Sequence, residues 1–283
     1  MAFDETFLRG RLKRDFGLDL PIGSGSGTSR DDPIVILTSD PRVAALTQML
    51  VLRCIGTALE RLWRVKAKTL LEGEWGNIEQ IKIETKELTA TEIITQRINH
   101  YFDVSASVAG RVSAASGRPQ DLEVAGYSDP VSGIAFPYEI GWMHFDNTIV
   151  NEEANPGLGQ TILYTALNSK ASVYVYDRGG RAPARFEPDF LTPEFSVAAS
   201  DVLKFTSNAR SAGDGKLTAS GSGISYLRQD FRMDADHSVL ALTVARGRFV
   251  KVRATWLAEP LFDDIGNEFI EQVFDLASLH QLH

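Results

Sequence analysis

The sequence has a single cysteine and no long apolar run. Cys54 stands alone among 283 residues, so no intrachain disulfide can form and no oxidising compartment is needed. The most apolar run, 43–55, contains polar residues and is shorter than the ~20 apolar residues that cross a bilayer. The N-terminus also lacks the apolar core of a secretory signal. We therefore expect a cytoplasmic protein without a membrane span.

Basic charge is in deficit. The chain has 29 Lys and Arg against 37 Asp and Glu, a formal net charge of -8. Because an acidic chain repels phosphate unless its basic residues cluster, we expect no nucleic-acid partner. Hydrophobic residues make up 43% of the chain, enough to bury a core, which excludes a disordered protein. The length fits one large or two small domains.

Recognisable catalytic and metal-binding motifs are missing. None of the five histidines has the spacing of a zinc site, and no Gly-x-Ser-x-Gly nucleophile turn occurs. The segment from Asp234 to His237 resembles part of a metal-binding loop but lacks the glycine and glutamate of an EF-hand. We expect no metal and no cofactor. His144, with Asp146 and the acidic pair Glu152 and Glu153 further along the chain, is the alternative catalytic candidate.

The first 29 residues have the pattern of a helix and a linker. Phe3, Phe7, Leu8 and Leu12 recur at helical spacing, which predicts an amphipathic helix over 1–20. The Gly- and Ser-rich stretch 21–29 is typical of a flexible linker. We therefore expect the first 25 residues to be separable from the folded core, so that deleting them changes the melting temperature little.

A small α+β domain is predicted over 30–110. Residues 34–37 read as a strand, and a helix follows from Pro41 to about Leu59, capped by Ser39 or Asp40. Alternating residues at 63–69 and 78–84 predict a hairpin, although 78–88 also fits a helical stripe. The pattern from Thr89 to Glu92 is that of a capping box and predicts a helix through 102. Residues 103–122, rich in Ser, Ala and Gly, are the predicted domain boundary.

The second half, 125–283, is mostly β. Strands are predicted at 134–142, 159–167, 171–176, 224–232, 239–245 and 248–256, helices at 192–205 and from Asp263 or Asp264 onwards, and a mobile loop at 207–219. Arg246-Gly247 is predicted to be a tight hairpin turn. A sheet with one apolar face needs a cover, which two amphipathic helices supply. The fold class is therefore α+β, with two domains, the second a mainly antiparallel sheet covered by two helices.

Three strand motifs and the closing helix resemble the PsbP-like fold, which includes the DcrB-like bacterial proteins. The motifs are GQTILY at 159–164, VYVYDRG at 173–179 and GRFVKVRAT at 247–255, followed by the helix at 264–279. The resemblance implies an α/β/α sandwich for the second domain. It also implies a binding, adaptor or assembly role, since members of this group include proteins that chaperone effectors of type VI secretion systems.

A group of basic and aromatic residues forms the candidate binding site. Its members lie on predicted strands or in the turn between two of them: Tyr174, Tyr176, Arg246, Arg248, Lys251 and Arg253. A solvated face or cross-strand packing is the alternative interpretation. In an acidic protein, a local basic cluster predicts docking of an acidic partner segment.

Our main hypothesis is a non-enzymatic adaptor or chaperone-type protein of bacterial type. It would bind an unidentified protein partner, and a homo-oligomer is compatible with the sequence. The alternative is a small-molecule hydrolase or transferase with a site between the two domains.

Overall fold

The computed structural model describes residues 4–73, 76–89, 92–108 and 126–278. The chain divides into two compact units, Met1–Val124 and Ala125–His283. The predicted boundary at 103–122 lies largely outside the described residues. The elements of the first unit are α1 (Glu5–Phe16), β1 (Ile34–Val35), α2 (Pro41–Ala58), β2 (Leu62–Gly73), β3 (Gly76–Leu88), β4 (Ile93–Asp103) and α3 (Ser105–Val108).

The first unit is built on a four-stranded sheet of order β1-β4-β3-β2, in which β1 is parallel to β4 and the other pairs are antiparallel. The predicted hairpin is confirmed as β2 and β3. Helix α2 begins as expected, with the Asp40 carboxylate accepting from the Val43 amide and Pro41 in the first turn. Gly56 lets α2 approach the sheet, since a Cβ there would overlap the indole of Trp63.

Strand β4 replaces the helix that the capping-box pattern predicts over 89–102, so that prediction is wrong. The Thr89 hydroxyl does bond Glu92, accepting from its amide at 3.1 Å and donating to its carbonyl at 2.9 Å. These bonds join the end of β3 to the start of β4 instead of capping a helix. The residues that follow are rich in β-branched side chains such as Ile93 and Ile98, which favour a strand.

The Gly- and Ser-rich stretch is hydrogen-bonded into the first unit, so the prediction of a flexible linker is wrong. The Gly23 amide donates to the Val35 carbonyl at 2.7 Å, and the Tyr101 amide donates to the Gly27 carbonyl at 3.0 Å. A Cβ on Gly25 would overlap the carbonyl of Pro33, so glycine allows this close passage.

Helix α1 also belongs to the first unit. Leu8 and Leu12 are fully buried, and α1 packs against α2. Helix α1 is therefore packed into the first unit, contrary to the expectation that the first 25 residues are separable from it; Phe3 of the predicted apolar stripe lies outside the described residues.

The second unit contains a nine-stranded sheet within residues 126–278, of order β11-β13-β14-β15-β10-β9-β8-β7 with β12 pairing to β13. All of its pairs are antiparallel. The elements are β5 (Tyr127–Ser128), β6 (Ala135–Phe136), β7 (Glu139–Ile140), β8 (Met143–Val150), β9 (Gln160–Ala166), β10 (Ser169–Tyr176), α4 (Pro188–Phe205), β11 (Ala209–Ser211), β12 (Lys216–Ala219), β13 (Ser225–Met233), β14 (Asp236–Ala245), β15 (Arg248–Leu257) and α5 (Pro260–Ser278).

Helices α4 and α5 cover opposite faces of this sheet. Phe195 of α4 packs in one core cluster with Phe249 of β15. On the other face, the Phe269 ring of α5 lies 5.3 Å from that of Tyr164, and Gly266 sits against Trp256. Because side chains alternate along a strand, β15 contributes to both cores. The α+β class and the α/β/α sandwich are confirmed.

Several local predictions for the second unit can be compared directly. The hairpin turn is confirmed, with φ of 51° at Arg246 and 67° at Gly247. The mobile loop at 207–219 is wrong, since β11 and β12 lie there and pair with β13. Pro137 separates β6 from β7 where one strand was expected. Within the described residues, no helix has the length and apolar character needed to cross a membrane.

Candidate functional site

Four of the six predicted binding residues lie on the face of the sheet that α4 covers. In the register of β10 and β15, Tyr174 is opposite Lys251 and Tyr176 is opposite Phe249. Arg253 lies two positions further along β15, opposite Ser172. Since directly opposed residues of an antiparallel pair point to the same side, these side chains form one surface.

Arg246 and Arg248 belong to a different part of the unit. The Arg246 guanidinium donates to the Ser132 carbonyl at 2.7 Å. Arg248 is buried, donates to Asp177 at 2.8 Å and lies 3.8 Å from a carboxylate oxygen of Asp129. Both arginines therefore hold the loop at 129–132, and the basic cluster predicted from the sequence is divided in two.

The ammonium group of Lys251 rests on two tyrosine rings. Its Nζ lies 4.2 Å from the ring centre of Tyr174 and 5.4 Å from that of Tyr176. Burial lowers the pKa of Lys251, and the carboxylate of Glu194 acts in the opposite direction. The cation–π contacts stabilise a charge that is half withdrawn from water.

Tyr176 is fixed by helix α4. Its hydroxyl donates to Glu194 Oε1 at 2.8 Å, and Arg178 Nη2 donates to the same oxygen at 2.9 Å. Burial raises the pKa of Tyr176, so the phenol stays neutral and keeps its donor proton. This three-residue network ties the first half of α4 to the end of β10.

An open cleft of about 460 Å³ lies beside the end of α4, and we name it the tyrosine cleft. Lys170, Tyr174 and Arg253 line it, together with Thr165, Ser172 and Thr255. The Arg253 guanidinium is oriented by a 3.0 Å hydrogen bond to the hydroxyl of Thr206, the residue after α4. Asp146 also lines the cleft.

Two cations line the tyrosine cleft, Lys170 and Arg253, and neither forms an ion pair with a described carboxylate. Within residues 4–73, 76–89, 92–108 and 126–278, no carboxylate oxygen lies within ion-pair distance of Lys170, Lys251 or Arg253. The nearby Arg178 and Arg248, in contrast, are both paired with carboxylates. The cleft can therefore accept an anionic group without first breaking an ion pair.

Sequence reasoning missed Lys170, Arg178 and Glu194. Lys170 could have been found, because it shares the two-residue period of Ser172 and Tyr174 along β10. Glu194 could not, because its contact with Tyr176 joins residues 18 positions apart through the packing of α4.

The other chemical candidates are held in structural contacts. His144 is buried, with Nε2 3.4 Å from Glu139 Oε2, and does not line the tyrosine cleft. His237 has Asp263 at 2.8 Å on Nδ1 and Asp230 at 3.0 Å on Nε2. A protonated ring satisfies both by donating two hydrogen bonds, and the bond to Asp230 raises the pKa of His237.

Asp234 and Cys54 are likewise held in structural contacts. The Asp234 carboxylate accepts from the Asn208 amide, whereas the carboxylates at His237 come from elsewhere in the chain. Cys54 is buried in α2, and burial raises the pKa of its thiol to about 11, as for the small buried hydrophobe that its setting indicates.

The site is thus an open, cation-bearing cleft on an α/β/α sandwich. The chain matches no protein-family model. No curated protein matches it in sequence. Among solved structures, the solution structure of cyanobacterial PsbP (CyanoP) from Synechocystis sp. PCC 6803 is similar, with 17% identity and a TM-score of 0.37, over 56% of this chain and 95% of that chain. This likeness concerns part of the chain and does not bear on function.

Proposed function

We propose that this chain is a non-enzymatic protein-binding protein of the adaptor or chaperone type, and that the tyrosine cleft binds an acidic segment of its partner. The observation that carries the proposal is that Lys170 and Arg253 line an open cleft and form no ion pair with any carboxylate of the described residues. Because the chain as a whole has a net charge of -8, binding of an acidic segment depends on these local cations.

The tyrosines suit the same role. Tyr174 lines the cleft and supports Lys251 with its ring face, so the cationic surface is held in place before a partner arrives. Tyrosine and arginine are enriched where proteins bind proteins, tyrosine because it provides a large contact with few freely rotating bonds and arginine because its planar guanidinium forms several hydrogen bonds. Arg253 can also bind a carboxylate through two parallel hydrogen bonds.

The enzymatic alternative has less support. It predicts a deep pocket between the two domains that contains His144 and two carboxylates. The tyrosine cleft is open, and His144 does not line it. The Nε2 atom of His144 lies 3.4 Å from Oε2 of Glu139. The proposal therefore stays with binding. A bacterial origin, a cytoplasmic location and a homo-oligomer stay predictions from the sequence.

Fluorescence anisotropy with a labelled hexaglutamate peptide tests the proposal. We expect the acidic peptide to bind this acidic chain, a labelled Gly-Ser peptide of equal length not to bind, and added salt to weaken binding because exposed charges are screened. Lys170→Ala should weaken binding about fivefold, as expected from the loss of one exposed charge pair worth ~1 kcal/mol.

The matched control is Lys216→Ala, which removes another exposed strand lysine, on β12. It should leave hexaglutamate binding unchanged. If hexaglutamate binds no better than the Gly-Ser peptide, or if both lysine variants weaken it equally, the tyrosine cleft is not the site and the proposal is wrong.

A further inference from the structure

A second depression lies along α4 and is largely apolar. Phe190, Pro193 and Val197 recur every three to four residues, and with Phe249 they line a groove of about 620 Å³ that we name the helix groove. Phe190 and Val197 are large side chains that remain 49% and 52% exposed. The charged residues that line the helix groove are Asp189, Glu194, Arg178 and Arg181, so neither sign of charge dominates there.

The helix groove and the tyrosine cleft lie on the same face of the sheet. Helix α4 is fixed to Arg178 through Glu194 in its first half and to Arg253 through Thr206 just after its end. It therefore runs antiparallel to β10, with the helix groove at one end of this flank and the tyrosine cleft at the other. From Ser172 to Arg178 an extended chain covers about 20 Å, at ~3.3 Å per residue.

The stretch between the two sites disfavours charge of either sign. Tyr176 and Glu194 are already bonded to each other there. Burial lowers the pKa of Lys251, and the charge of Asp201 on α4 acts in the opposite direction. The Asp201 carboxylate repels an incoming carboxylate, whereas the Lys251 ammonium repels an incoming cation. We therefore expect a segment that crosses this stretch to be uncharged there.

We propose that one extended segment of a partner protein occupies both sites, with carboxylates in the tyrosine cleft, an apolar side chain in the helix groove, and about four to six uncharged residues between them. This inference rests on the proposed function, since it uses the same acidic partner. Charge complementarity selects the acidic end, because Lys170 and Arg253 form no ion pair with a described carboxylate, and the exposed Phe190 and Val197 select the apolar end. The two sites together define the composition and the polarity of the segment.

Three labelled peptides test the inference by anisotropy. The first carries a diaspartate end, a Ser-Gly spacer of about five residues and a Phe-Leu end, the second lacks the apolar end, and the third has the spacer shortened to about one residue. We expect the first to bind at least about tenfold more tightly than the other two, because linking two sites raises the effective concentration of the second contact.

Two variants locate the apolar contact. Val197→Ser should weaken the first peptide about fivefold and leave the second unchanged, whereas Leu217→Ser, a control at a side chain that is 58% exposed on β12, should change neither. If the first and second peptides bind equally tightly and both depend on Lys170, the acidic site stands and the two-site inference is wrong. If none of the peptides depends on Lys170, the proposed function fails with it.

Discussion

Acid should destabilise the first unit through a single histidine, His100. Its side chain lies on β4 opposite Ile81 and is 6% exposed. Neither ring nitrogen finds a hydrogen-bond partner among the described residues. Burial therefore lowers the pKa of His100 to about 4, and the folded protein holds the ring neutral at pH 7.

The size and the sign of the effect follow from proton linkage. In the unfolded chain a histidine has a pKa of about 6.5, so below that pH the unfolded state binds more protons than the folded state. The stabilisation by neutral His100 is present above pH 6.5 and is lost as the pH falls towards 4. At ~1.4 kcal/mol per pKa unit, the free energy of unfolding should fall by about 2–3 kcal/mol between pH 7.5 and 4.5.

Urea denaturation of the wild type and of His100→Leu at these two pH values isolates the effect. At pH 7.5 the variant should be equally stable or up to about 1 kcal/mol more stable, because it removes two unpaired buried nitrogens. Between pH 7.5 and 4.5 the free energy of unfolding should fall by about 2–3 kcal/mol more in the wild type than in the variant. Equal losses, or an NMR titration of the His100 ring near pH 6.5 in the folded protein, would refute this reasoning.

Further predictions concern both units. As the pH rises above 6.5 and passes the raised pKa of His237, the second unit should lose stability, because a neutral ring cannot donate to both Asp230 and Asp263. In His237→Gln the melting temperature should therefore change less between pH 6 and 9 than in the wild type. In urea titrations, Phe269→Ala should cost about 3–5 kcal/mol, since that ring is fully buried, while Glu271→Ala should stay within about 0.5 kcal/mol. Deleting residues 1–25 should lower the melting temperature by ~5 °C or more, because it removes the buried leucines of α1. An unchanged melting temperature in a thermal denaturation scan would contradict the packing of these leucines.

The second unit was the more predictable part of the fold. Buried and less buried residues alternate along strands such as β10 and β15, and α5 carries a regular apolar stripe. The turn at Arg246-Gly247 has a local sequence signal in its glycine, because this turn needs a positive φ, which glycine adopts easily. Such features depend on neighbours in sequence and can be read from it directly.

The first unit shows where local signals fail. A hydroxyl residue followed three positions later by glutamate, as in Thr89 and Glu92, occurs both at the start of a helix and in a turn between two strands. Here the pairing of β3 with β4 selects the turn. Glycine-rich composition likewise fits a free linker or a segment packed against its neighbours. Gly25 and Gly27 are of the second kind, because the bulk of Pro33 and Ile34 close beside them leaves no room for a side chain.

The candidate site was predictable only in part. The pairing of Tyr174 with Lys251 follows once two adjacent strands are recognised, since alternation puts their polar side chains on one face. The removal of Arg248 from the cluster could not be predicted, because its partner Asp177 is 71 positions away. The helix groove also depends on how α4 packs, which no spacing in the sequence reveals.

The account is tested most directly by photo-crosslinking in living cells from the floor of the tyrosine cleft. A benzoylphenylalanine in place of Ser172, which is half-buried beside Lys170 and Arg253, should capture a partner peptide that carries aspartate or glutamate at the crosslinked position or next to it. The same probe in place of Leu217, exposed on β12, should not capture that peptide. A partner peptide captured equally from both positions, or one without acidic residues near the crosslink, would contradict the assignment of the cleft as a site for an acidic segment.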